Sequence, residues 1–156
     1  MRKVVVFAGL VAAPALTERA ATPVPQGDQR LDRVRRFFDA RNCPLSQFAA
    51  DFLMAADEND LDWRLLPSIS MVESSGGKRY MNRNVFGWNS CRERFASVST
   101  GIHVVAARLG NSDLYREKDL DQILRTYNPR PEYARRVKAF MQTLGPAAAP
   151  YRAVLN

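Results

Sequence analysis

The stretch Asp62–Trp88, DWRLLPSISMVESSGGKRYMNRNVFGW, carries the chain from helical to irregular patterning. Leu65, Ile69 and Val72 repeat at helical spacing. Gly76-Gly77 ends that helix, because glycine accepts the left-handed conformation at a helix C-terminus. Pro67 leaves the first residue of the helix open. Glu73 follows Leu66 by seven positions, which places it about 20° away around the helix axis. It therefore stands at the edge of the buried face and in the last turn. Both positions raise its pKa: partial burial disfavours the anion, and so does the negative pole of the helix. A carboxylic acid held protonated near neutral pH is what a general acid for glycosidic cleavage requires. The other environment open to Glu73 is a solvent-exposed helix end, paired with Lys78 or Arg79.

Working outward, the remaining periodicity is mostly helical. Leu31, Val34, Phe37 and Phe38 form one apolar stripe, and Leu45, Phe48, Phe52, Leu53 and Ala56 form a second. Ile102, Val105, Ala106 and Leu109 form another, with Ser99 or Thr100 as its expected N-cap and Gly110 as its expected stop. Leu120, Ile123, Leu124 and Tyr127 follow Asp119, a predicted N-cap. Pro131 opens the clearest stripe, Tyr133, Val137, Phe140, Met141 and Leu144, which ends at Gly145. Residues 79–98 break the pattern: Asn82, Asn84, Gly87 and Asn89 interleave with Phe86, Trp88 and Phe95. The expected fold is mainly α, with a loop or short β-hairpin excursion at about 79–98.

The chain has 156 residues, 46% of them hydrophobic and 25% charged, which fits one domain with a real core. One histidine, His103, and two cysteines leave little material for a histidine-based metal site, a four-thiolate zinc site or a Ser-His-Asp triad. Carboxylates, tyrosines or thiols would have to carry any chemistry. No cofactor is implied, and no calcium-loop spacing is present. His103 falls beside the apolar stripe of its helix and is expected to face solvent.

The N-terminus patterns as an export signal over residues 1–15. Arg2 and Lys3 precede the apolar run VVVFAGLVAA, and Ala13-Pro14-Ala15 offers a cleavage site. The run VVVF also suits a buried strand. Cleavage after Ala15 leaves 21 bases against 16 acids, a net +5. Such a chain is drawn to an anionic polymer outside the cytoplasm, or to nucleic acid inside it. Residues 16–27 are expected to be a linker, 28–145 a single compact domain and 146–156 a loosely tied tail. In an oxidising compartment Cys43 and Cys91 are expected to pair, closing a loop of about 50 residues. A catalytic thiol with His103 as base is the alternative use of these residues.

The run ESSGGKRYMNRNVFGW from Glu73 resembles the signature shared by bacterial lytic transglycosylases and endo-β-N-acetylglucosaminidases of the lysozyme-like superfamily. Ser99-Thr100-Gly101-Ile102 through Leu109 is similar to the helix that packs behind the catalytic one in those families. Thr126-Tyr127-Asn128-Pro129, with Pro131-Glu132-Tyr133-Ala134 and Val137 after it, resembles their Tyr-Asn motif and closing helix. Phe86-Gly87-Trp88 departs from the Gly-Leu-Met-Gln of the transglycosylases and leans toward the glucosaminidase pattern. The resemblance implies a lysozyme-like catalytic domain with Glu73 as the acid, Tyr127 near the reaction centre and Ser74 organising the site. Ser74, Tyr80, Asn84, Phe86, Trp88 and Asn128 are the expected saccharide-binding residues, with Asn82 and Asn89 also on the groove, since aromatic faces stack on sugars and amides bind hydroxyl and N-acetyl groups. Core packing is the competing role for Phe86 and Tyr127.

Ordinary glycosidases use two carboxylates. Asp57, Glu58, Asp60, Asp62, Glu93 and Asp113 are the available second groups, and none has a compelling context. The transglycosylase scheme needs one glutamate, which fits. The expected activity is cleavage of the β-1,4 MurNAc–GlcNAc bond of peptidoglycan by an exported enzyme. A catalytically inactive glycan-binding module of the same fold is the alternative, and a basic nucleic-acid-binding domain a further one. Scattered arginines and the absence of a recognised nucleic-acid motif weigh against the last.

Overall fold

A computed structural model describes residues 27–147. The expected export signal, almost all of the expected linker and the end of the tail lie outside the described residues. Six α-helices order the described chain: α1 (Gln29–Asp39), α2 (Ala49–Glu58), α3 (Leu65–Ser74), α4 (Val98–Asn111), α5 (Leu120–Tyr127) and α6 (Pro131–Leu144). Two short 3-10 turns, Pro44–Phe48 and Trp88–Cys91, complete the set. The fold is mainly helical, and 79–98 contains no strand. A single isolated bridge, Met81 to Asn84, is all that remains of the hairpin alternative.

Helix α3 is the centre. It packs against α2 on one side and α6 on another. Leu65, Leu66, Pro67, Ser68, Ile69 and Ser70 are all buried, as expected of a helix surrounded by others. Pro67 falls in the first turn, where its missing N–H costs nothing, so the helix begins at Leu65. An aromatic chain ties the layers together. Phe38 of α1 stacks on Phe52 of α2 at 5.5 Å, and Phe52 meets Phe86 edge-on at 6.2 Å. All three rings are fully buried.

The caps follow the sequence in part. Asp119 caps α5 through a capping box with Gln122, and Pro131 opens α6 as predicted. Helix α4 differs from expectation at both ends. Its N-cap is Ser97, whose Oγ accepts from the Thr100 amide at 2.9 Å, while Ser99 is turned to donate to Asp51 of α2. Gly110 does not stop it; the helix runs on to Asn111. A Cβ at Gly110 would meet the Asn59 carbonyl oxygen at 2.5 Å, so this glycine serves the close approach of α4 to the end of α2. The stripe 45–56 also divides, because Pro44 starts a 3-10 turn before α2 begins.

The acidic residues near α2 are engaged structurally. Arg30, 6% exposed, forks between Asp28 and Asp57, and both Asp57 contacts measure 2.8 Å. Asp62 pairs with Arg64, and Glu93 takes a bidentate grip from Arg108 at 2.6 Å. His103 is half-exposed, with Nδ1 at 3.2 Å from Glu58 Oε2. Among the described residues no helix is long and apolar enough to cross a membrane.

Candidate active site

The chain places Glu73 where a helix must stop. Ser75 caps α3 in the left-handed conformation, at φ 54° and ψ 44°, and Gly76 and Gly77 continue at positive φ. Side chains at these glycines would strike Cys43 and Leu45, so the turn presses tightly onto the preceding segment. Ser74 is 2% exposed. Its hydroxyl donates to the Ser70 carbonyl and accepts from the Gly77 amide at 3.1 Å. It therefore fastens the turn and has no face toward a ligand, contrary to its expected place among saccharide-binding residues.

Glu73 is half-buried and opens onto a cleft of about 490 Å³. Gly87, Trp88, Asn89, Ser90, Tyr115, Tyr127 and Asn128 line that cleft with it. Glu73 is the one carboxylate among the residues lining it. Lys78, one partner open to it in sequence terms, instead donates to the Arg41 carbonyl. Among the described residues Glu73 makes no ion pair.

Burial raises the Glu73 pKa above its ordinary value. The Tyr133 hydroxyl and the positive field of Arg136 oppose this without cancelling it. Tyr133, in the first turn of α6, is 5% exposed. Its hydroxyl faces the Glu73 carboxyl and has no other partner, although the contact falls short of full hydrogen-bond geometry. Burial also pushes the Tyr127 and Tyr133 phenols far up, so both are neutral donors at working pH.

Tyr127 anchors the aromatic wall. Its ring stacks on Tyr133 at 5.8 Å and meets Trp88 edge-on at 5.6 Å. Its hydroxyl donates to the Phe86 carbonyl at 2.5 Å, which ties α5 to the 79–98 loop. Trp88 also leans on Tyr115 at 6.0 Å. Glu73, Tyr127, Trp88 and Asn128, separated in sequence by as many as 55 positions, meet in one cleft.

Three other expected ligand-binding residues do not join them. Phe86 is fully buried, because it completes the Phe38–Phe52 stack; only its carbonyl serves the site. Asn84 is 1% exposed. Its amide donates to the carbonyls of Trp88 and Glu93 and accepts from the Trp88 amide at 3.0 Å, so it shapes the loop from within. Tyr80 is exposed and outside the cleft lining. The residues that sequence reasoning passed over are Tyr133, Tyr115, Gly87, Ser90 and Arg136. Tyr133 lies on the apolar stripe of α6, and nothing in a stripe distinguishes a core tyrosine from one aimed at a carboxylate.

The expected Cys43–Cys91 bridge is not formed, and both thiols are free. Cys43 packs against Met71 and the Ser75–Gly76 turn beneath α3. Cys91 ends the 3-10 turn at the cleft, near Tyr127. The fold assigns them to different surroundings. In the native protein a thiol reagent is expected to label Cys91 readily and the buried Cys43 only on unfolding. Mass spectrometry showing no label at either position before reduction would contradict the free thiols.

Replacing Tyr133 with Phe removes a group that favours the Glu73 anion. The Glu73 pKa then rises further, so the acid form persists to higher pH. An NMR titration of the Glu73 carboxyl is expected to move upward in Tyr133→Phe; a downward shift would mean that the hydroxyl does not act on this carboxyl.

No protein-family model and no curated protein matches the chain. Among solved structures, the glycoside hydrolase domain of Salmonella typhimurium FlgJ superposes with a TM-score of 0.49 at 18% sequence identity. The match covers 71% of this chain and 87% of that one. Likeness at this level assigns neither family nor activity. Among the described residues no group of three His, Cys, Asp or Glu side chains is placed to share a metal ion.

Proposed function

We propose that this chain is a glycan-cleaving enzyme of lysozyme-like architecture, acting on the β-1,4 MurNAc–GlcNAc bond of peptidoglycan. The observation that carries this reading is a lone half-buried carboxyl, raised in pKa, at the floor of an open aromatic cleft. Glu73 in its acid form donates a proton to the leaving glycosidic oxygen. Trp88 and Tyr127 offer faces and edges against which sugar rings pack. Asn128 offers amide donors and acceptors for hydroxyl or N-acetyl groups. Retaining and inverting glycosidases place a second carboxylate about 5–10 Å from the first. The cleft lining holds none, which favours a scheme in which Glu73 serves twice. Having given up its proton, it takes one from the nucleophile. Attack by the muramyl C6 hydroxyl yields a 1,6-anhydro sugar, and attack by water yields a reducing end.

The experiment is incubation of the protein with purified cell-wall sacculi and mass analysis of the soluble products. Anhydro-muropeptides are expected from the single-acid scheme. Reducing ends would retain glycan cleavage but move the reading to a hydrolase. Binding to sacculi without products would replace the enzyme with a glycan-binding module. We further propose export directed by residues 1–15; a periplasmic reporter fused to that segment is expected to become active, and cytoplasmic retention would overturn it.

A further inference from the structure

We propose that a basic cavity between α1 and α6 takes the carboxylates of a peptide branch carried by the glycan. This rests on the glycan-cleaving reading of the cleft. The cavity measures about 260 Å³. Arg33, Arg36 and Arg41 line it above an apolar floor of Phe37 and Leu144, and no acidic side chain is among its lining residues.

These arginines differ from the others that the fold employs. Arg30, Arg64 and Arg108 are each spent on carboxylates of this chain. Among the described residues Arg33 and Arg41 have no such partner. Arg36 reaches only Asp32 at 3.9 Å, and both side chains are exposed, so that contact is worth little. Arg41 is held in place, its guanidinium carbon 4.3 Å from the centre of the Phe37 ring and Nη1 donating to the Phe37 carbonyl at 2.7 Å. Arg33 reaches the Leu144 carbonyl at 3.5 Å. Each contact engages one of about five N–H donors on the fork. The rest are free to grip an oxyanion in two-point fashion.

Helix α6 connects this cavity to the cleft. Arg136, whose field reaches Glu73, and Phe140 and Thr143 follow one another at steps of four and three, so they share one edge of the helix. Arg41 lies 5.8 Å from the Phe140 ring beside that edge. From Tyr133 at Glu73 to Thr143 at the cavity the helix rises about 15 Å. An extended peptide advances about 3.3–3.6 Å per residue, so a branch of some four or five residues spans the gap. A carboxylate on a short tether to the cleaved sugar fits that reach. A phosphate polymer is the other source of the same chemistry.

The test uses the Arg33→Gln/Arg36→Gln double variant, which leaves every cleft residue in place. On peptide-bearing glycan strands its KM is expected to rise roughly tenfold at unchanged kcat, the scale of losing a charged hydrogen bond. On strands stripped of peptide, both constants are expected to match the parent. Equal losses on both substrates, or no change on either, would overturn the proposal. Calorimetry in the Glu73→Gln background separates it from the cleavage reading. A soluble peptide-bearing disaccharide is expected to bind, and about tenfold more weakly with both arginines replaced. No binding, binding indifferent to the arginines, or an arginine-dependent response to glycerol phosphate oligomers alone would defeat the carboxylate assignment. If the parent cleaves neither strand, the cleavage reading falls, and this comparison still decides the cavity.

Discussion

Glu73→Gln is expected to abolish most glycan cleavage while leaving the fold intact. The amide has nearly the same shape but cannot give up a proton, and positioned acid–base catalysis is worth about 10²- to 10⁴-fold. Stability supplies an independent check. Burial raises the Glu73 pKa above its ordinary 4.5, so the folded state holds this proton more tightly than the unfolded chain does. Wild-type stability is therefore greatest, as far as this group is concerned, below about pH 4.5. It declines as pH rises toward and through the raised value. Glutamine carries no charge at any pH and escapes that decline. Melting temperatures are expected to coincide near pH 4, with the variant higher at pH 7 to 8. A variant less stable than the parent at pH 8 would mean that the anion is favoured where it sits. The same raised pKa places the alkaline limb of the rate profile above the range of an ordinary glutamate.

Gly87→Ala is expected to cost about 100-fold in kcat/KM, the scale of a misplaced catalytic group. Gly87 sits at φ +63°, and a Cβ there would lie 2.7 Å from Glu73 Oε2. Backbone strain accounts for roughly 1–2 kcal/mol of stability and cannot by itself remove activity. The larger effect is displacement of the carboxyl from the cleft floor. Gly27 supplies the control. It has φ +97° and nothing within 4 Å of an added Cβ, so Gly27→Ala is expected to leave kcat/KM unchanged. Retained activity in Gly87→Ala would show that Glu73 is free to move aside, and that the contact does not position it.

Helix content was readable because one-sided burial leaves a 3.6-residue stripe. The stripes at 31–38, 120–127 and 133–144 correspond to α1, α5 and α6. Helix ends were less so. Ser97, Ser99 and Thr100 are all acceptable caps, and only the contact of Ser99 with Asp51 settles which is used. Gly110 looked like a stop and proved to be a point of close approach, a distinction that depends on the Asn59 carbonyl 51 positions away.

The candidate site divides along the same line. That Glu73 stands at a helix end on the border of the apolar face follows from the chain alone, because helical angle and the terminating glycines are local properties. Which groups surround it is a long-range matter. Asn84 and Phe86, expected in the cleft from the resemblance of their loop, are held in the interior by the Trp88 carbonyl and the Phe52 ring. Tyr133, which looked like plain core, turns its hydroxyl to the carboxyl instead. Two cysteines in one small domain suggest a bridge, yet packing sets them beneath α3 and at the cleft rim as separate thiols. Periodicity records which face of a helix is dry; it carries no record of which neighbour does the drying, and that was fixed only when α3, α6 and the 79–98 loop closed on one another.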